Sequence, residues 1–234
     1  MGICLTEFNP KLFGLVPNRL YEIIATTYRQ ILGNIKPNAS CMGIRVLEDN
    51  RISLNPFPNT TTFKNLKEKS LMAVNFVDDV YIYALAALKG YYSGIQFTEF
   101  PLKYYDYIDL KNREHQMPII NNAWAYLVCE IDEEIKHLKK DALNEIMITE
   151  FKLRVIQSKE LKKSFSLFNR AENLTIESVI IATRLKICLA MNNKELYSKL
   201  ETQLNYNIEN IERFSKNSRV KKAMNLVQKY VSSL

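Results

Sequence analysis

The chain has 234 residues, 47% of them hydrophobic and 24% charged, with eleven Phe, thirteen Tyr and a net charge of +7. A chain of this size buries enough apolar surface for one large domain or two small ones, which excludes disorder as its main state. No uncharged apolar run reaches the roughly 20 residues of a membrane-spanning helix, and residues 1–11 lack the pattern of a secretory leader, so a cytoplasmic protein without a membrane partner is expected.

Residues 1–158 read mainly as β-structure. Residues 21–27 (YEIIATT) are rich in aromatic and β-branched types, as a strand requires, and Gly33-Asn34 is a hairpin-turn signal. Residues 37–47 (PNASCMGIRVL) form a second expected strand, ended by Glu48-Asp49-Asn50, and residues 51–55 (RISLN) a third. Pro56-Phe57-Pro58-Asn59 predicts a turn, and residues 60–70 (TTTFKNLKEKS) a short helix with a threonine N-cap. Residues 71–77 (LMAVNFV) return to strand, and after Asp78-Asp79 residues 80–88 are apolar again.

From Gly90 to Met117 the pattern weakens into a Tyr-rich, Pro-containing connection. Residues 122–131 and 149–155 alternate well enough for two more strands, the second aligning Phe151, Leu153 and Val155 on one face. The highly charged residues 132–144 between them predict a helix or a loop. Many short strands with a single early helix point to a barrel.

After Ser158 the period becomes helical. Leu196, Leu200, Leu204, Ile208 and Ile211 draw one apolar stripe, residues 176–191 are apolar nearly all round, and Val220, Met224, Val227 and Val231 form a last stripe. The expected organisation is α+β: a barrel domain over residues 1–158 and a small helical bundle over 159–234. The bundle segment carries 14 Lys and Arg against 7 Glu and no Asp, so it holds all the net charge. Such a unit faces an anion, nucleic acid or an acidic partner, or simply presents solvated helix faces.

Cys4, Cys41, Cys129 and Cys188 form no CxxC, His115 and His137 are the two histidines, and the six glycines make neither GxGxxG nor a P-loop. Thiolate or histidine metal centres and the usual glycine-rich nucleotide loops are thereby excluded. A phosphate would need another device. Thr60, Thr61 and Thr62 open a helix whose unpaired N–H groups and positive dipole end suit an anion. The competing reading is that one threonine caps the helix while the others face water.

The succession of Asn38-Ala39-Ser40-Cys41-Met42, residues 59–66 (NTTTFKNL), Val74-Asn75 and residues 125–130 (AYLVCE) resembles the FMN-binding split β-barrel proteins of the flavin-reductase type. It is more similar still to a mainly archaeal branch that joins this barrel to a C-terminal helical segment, matched here by Phe168-Asn169-Arg170-Ala171 and Ala182-Thr183-Arg184-Leu185. The resemblance implies a homodimer with one FMN per subunit and a split barrel followed by helices; a nicotinamide (NADH or NADPH) or another reduced small molecule is the expected electron donor. It implies that Asn38, Ala39, Ser40, Cys41 and Met42 border the flavin, and that Asn59, Thr60, Thr61 and Thr62 hold its phosphate. Arg45 and Lys64 are further candidates for charge-assisted bonds. Asn59 and Thr60 stand where such proteins often carry an arginine and a serine.

No residue is singled out as catalytic. Cys41 with His115 could act as nucleophile and base, or Cys41 could be a packed thiol. Asp78-Asp79 and Asp132-Glu133-Glu134 are paired carboxylates or solvated turns. Tyr91-Tyr92 and Tyr104-Tyr105-Asp106-Tyr107 are a half-buried barrel edge, a flavin-pocket wall or a stacking platform for bases. Three functions follow: a flavin-dependent oxidoreductase, a flavin-binding carrier or sensor, and, least favoured, a basic helical nucleic-acid binder.

Overall fold

The computed structural model describes residues 8–89, 99–110, 116–140, 145–163, 169–215 and 217–234. They fall into two compact units: one of residues 8–77, 104–110, 116–140 and 145–163, the other of residues 78–89, 99–103, 169–215 and 217–234.

The first unit is a closed antiparallel barrel. Its strands β1 (Leu20–Ile31), β2 (Asn34–Val46), β3 (Ile52–Leu54), β4 (Leu71–Phe76), β7 (Ala125–Lys140) and β8 (Glu145–Glu160) are ordered β1-β2-β3-β8-β7-β4. β1 and β2 pair along their whole length through a two-residue turn at Leu32-Gly33, both at positive φ, as the right-handed twist of a hairpin demands. The turn lies one residue earlier than the Gly33-Asn34 signal suggests, and Asn34 is already in the strand. β3, by contrast, pairs with β2 only at Arg45 and Val46. Beside the remainder of β1 and β2 packs the helix α1 (Thr61–Lys69).

Inward-facing Ile23, Ile44, Ile52, Leu54, Met72, Val74, Leu127, Phe151 and Leu153 fill the barrel, joined by Leu66 of α1. Phe63 meets Phe151 edge-on with ring centroids 5.6 Å apart. A second hairpin, β5 (Tyr105–Asp109) and β6 (Gln116–Ile120), packs Met117 and Ile119 against Tyr28, Leu71, Ala73, Tyr126 and Val128 of the barrel strands. The weakly patterned Gly90–Met117 region thus contains structure that the sequence reading missed.

Residues 132–140 are neither helix nor loop; they continue β7 as a long ribbon with β8, and residues 141–144 lie outside the described residues. Charged side chains are tolerated there because they are ion-paired: Glu133 with Lys152 across the ribbon, Asp132 and Glu133 with Arg51 just before β3, and Glu134 with Lys67 of α1. Alternating charge on a two-stranded ribbon mimics the polarity of a helix or loop.

The second unit is helical: α2 (Val80–Ala87), α3 (Arg170–Ala190), α4 (Lys194–Phe214) and α5 (Ser218–Ser232). Each starts at an Asp or Asn whose side chain accepts a first-turn N–H, namely Asp79, Asn169, Asn193 and Asn217. Their common core includes Val80, Ala84, Leu185, Leu204, Val220 and Val227. α2 is a second early helix in place of the apolar resumption expected after Asp79, and it is apolar nearly all round because six of its eight residues are buried. Among the described residues no helix is long and apolar enough to cross a membrane.

Candidate functional site

β2 and α1 bring the sequence-predicted residues into one region of the barrel unit. Successive side chains of a strand point to opposite faces, so residues 38–42 do not act as a block. Met42 packs on the barrel core beside Ile44, whereas Ala39 is buried and Cys41 half-buried on the other face. Asn38 and Ser40 share the inward face and engage α1. The Asn38 Nδ2 donates to Thr62 Oγ1 at 3.2 Å and lies 3.5 Å from Ser40 Oγ, and the Thr62 hydroxyl donates to Ser40 Oγ at 3.1 Å.

The three threonines divide their work. Thr60 is the N-cap: its Oγ1 accepts the Phe63 N–H at 3.2 Å and donates to the Phe57 carbonyl at 2.7 Å. Thr62 is fully buried in the contacts with Asn38 and Ser40. Thr61 is exposed, and among the described residues its hydroxyl has no partner. Asn59 is exposed just before the cap. In the first turn Phe63 N–H is capped and Lys64 N–H bonds the Thr60 carbonyl, which leaves the N–H groups of Thr61 and Thr62 outside the helix's own ladder. One hydroxyl and two amide donors at the positive end of a helix make a small anion-receptive surface.

Two buried residues that sequence reasoning missed complete the cluster. Thr27 stands opposite Asn38 in the β1–β2 register, and its Oγ1 accepts from Asn38 Nδ2 at 3.3 Å and from Asn65 Nδ2 at 3.0 Å. Asn65 lies three positions after Thr62, hence on the same face of α1. Helical spacing and hairpin register were the signals that could have found both.

The remaining candidates resolve differently. His115 and Tyr91-Tyr92 lie outside the described residues, and with them the Cys41–His115 pairing; Cys41 itself is half-buried and in no disulfide among the described residues. Asp79 caps α2 and is bonded by Arg219, and Asp132, Glu133 and Glu134 are ion-paired, so structural roles account for these acids. On β5, Tyr105 is buried and Tyr107 exposed, with partial burial raising the Tyr107 phenol. Asn169 caps α3, and Arg170 lies over the Phe214 ring at 4.6 Å. Cys129, fully buried in the barrel core, has its thiol pushed far up by desolvation, which makes it inert.

Residues 21–162 match the family model described as "Protein of unknown function (DUF447) N-terminal domain". The crystal structure of an FMN-bound protein of Methanosarcina mazei, assigned to that family model, is 20% identical, covers 95% of this chain and 100% of its own, and has a TM-score of 0.68. The flavin reductase HpaC complexed with NADP+ is 17% identical over 63% of this chain and 83% of its own, with a TM-score of 0.43. Flavoredoxin from Methanosarcina acetivorans is 14% identical over 65% of this chain and 76% of its own, with a TM-score of 0.42. No curated protein matches the sequence. The Methanosarcina mazei likeness establishes the fold as a split barrel of the FMN-binding type with C-terminal helices.

Proposed function

The chain belongs to the DUF447 family of proteins of unknown function, and from that membership we propose that it binds FMN and serves two-electron transfer in the cytoplasm as a homodimer. The observation that carries this reading is the start of α1, where Thr61 and the N–H groups of Thr61 and Thr62 stay outside the helix's own hydrogen bonds. This donor set fits a phosphate dianion without glycines, because hydroxyl and amide donors at a helix start meet charge with matched dipoles. Thr60 fixes the turn, and Asn59 borders it. In this reading the backbone N–H and C=O groups of residues 38–42 (Asn38, Ala39, Ser40, Cys41 and Met42) border the flavin and its ribityl chain, along the stretch of β2 that β3 leaves uncovered. The relative from Methanosarcina mazei, of the same fold and family, is FMN-bound, which supports the choice of ligand.

FMN, when bound, supplies the hydride chemistry itself. Among residues 38–42 and 59–62 the Cys41 thiol is the one titratable side chain, so this chain's part is to hold and orient the ligand rather than to move protons. NADH or NADPH is the proposed donor.

Titrating the protein with FMN and with riboflavin, followed by flavin fluorescence and calorimetry, tests the reading. Tighter binding of FMN than of riboflavin is expected; absence of FMN binding would overturn it. Bleaching of the bound flavin by NADH or NADPH under anaerobic conditions separates an oxidoreductase from a carrier, in which the yellow colour persists.

A further inference from the structure

We infer that Thr27 is a positioning residue for the phosphate end of this site, acting through the amides of Asn38 and Asn65; the inference rests on the FMN reading above. Thr27 is 0% exposed, Thr62 0% and Asn65 3%; the Asn65–Thr27 bond is buried, and the bonds through Asn38 and Ser40 are partly buried. They run without interruption across three elements. Asn65 donates to Thr27 at 3.0 Å, Asn38 donates to Thr27 at 3.3 Å and to Thr62 at 3.2 Å, and Thr62 donates to Ser40 at 3.1 Å.

The placement of these bonds decides what they do. β3 meets β2 only at Arg45 and Val46, so beside Asn38 and Ser40 it is α1, not that strand, that contacts β2. Apolar packing by Leu66 and Phe63 holds α1 on the barrel but tolerates a small roll of the helix about its axis. Thr62 and Asn65, one turn apart on the inward face, attach the helix at two points and remove that freedom. Fixing the roll fixes where Thr61 and the first-turn N–H groups point. A buried polar chain costs desolvation that valine or leucine would avoid, so its return is directional: it presents the anion donors in one orientation relative to β2.

Thr27→Val keeps the shape and removes the acceptor shared by Asn38 and Asn65, whereas Thr27→Ser keeps the hydroxyl. Dissociation constants for FMN and for riboflavin, which lacks the phosphate, are measured well below the melting temperature of each variant. Thr27→Val is expected to weaken FMN binding roughly tenfold and leave riboflavin binding within about twofold, with recovery in Thr27→Ser. Equal loss for both ligands, or no loss for either, means a merely structural role and overturns the inference. If Thr27→Val does not fold, Asn65→Ala, which removes the α1 donor to Thr27, carries the same expectation and the same refutation. A wild-type protein that binds FMN no better than riboflavin removes the phosphate reading itself, a result distinct from a wild-type preference that survives Thr27→Val.

Discussion

Asn75 and Ile120 meet through a buried hydrogen bond of 2.8 Å, in which the Ile120 N–H donates to the Asn75 side-chain oxygen and ties the β5–β6 hairpin to barrel strand β4. The nitrogen of the same carboxamide donates to the carbonyls of Ile24 at 2.9 Å and Ala73 at 3.2 Å, and to Thr26 Oγ1 at 3.0 Å. Thr26 in turn donates to the Pro118 carbonyl at 2.6 Å. Asn75→Leu strands these groups without partners, and a loss of about 3 kcal/mol is expected. Urea unfolding should move to a lower midpoint with an unchanged slope.

The division of labour among the three threonines separates affinity from stability. Thr61→Val, at an exposed position with equal β-branching, should leave the melting temperature within about 1 °C and lower FMN affinity. Thr60→Ala should cost about 1 kcal/mol of stability through loss of the cap. Thermal melts and FMN titrations on both variants check the contrast, and a Thr61→Val protein with wild-type affinity would remove the anion site.

The barrel was legible because strands such as residues 21–27 and 71–77 are β-branched and bounded by turn signals, and the bundle because Leu196 to Ile211 repeat at helical steps. The β5–β6 hairpin was not, since its strands are five residues each and one contains Pro118. The ribbon at 132–140 was hidden by charges whose partners, Arg51 and Lys67, are distant in sequence. For the site, the inward role of Asn38 depends on hairpin register. A turn centred on Gly33-Asn34 pairs Thr27 with Ser40, whereas the actual Leu32-Gly33 turn pairs it with Asn38. Composition alone could not choose between them.

Glu172 should make the helical unit pH-sensitive. Partial burial, then the charges of Asp78 and Asp79, raise its carboxyl above the ordinary range, outweighing the favourable start of α3. The folded protein therefore holds the proton more tightly than the unfolded chain, and the group destabilises increasingly as pH rises through the carboxylate range. Glu172→Gln should raise the melting temperature at pH 7, with the gain vanishing at about pH 3, where the carboxyl is protonated in both states. A gain that persists at low pH would point to packing instead.

Arg219 clamps the start of α2 to α5. Its Nε donates to Asp79 Oδ2 at 2.8 Å, a second guanidinium nitrogen bonds the same oxygen, and the group lies over the Tyr81 ring at 5.1 Å. Arg219→Met should lower the local stability of α2 by about 1 kcal/mol, read as faster hydrogen exchange of its amides. Arg219→Lys should restore only part of this, because an ammonium neither forks nor stacks as a guanidinium does.

α2 lies between two barrel strands in the chain yet shares its core with helices that begin ninety residues later, at Arg170. A gene shortened to end after the last strand would still encode α2 and would leave its oily surface bare, inviting clumping. The helical part is therefore no detachable tail. Nature could trim or exchange it only by also rewriting a loop in the middle of the barrel, which binds the two parts into one unit of inheritance.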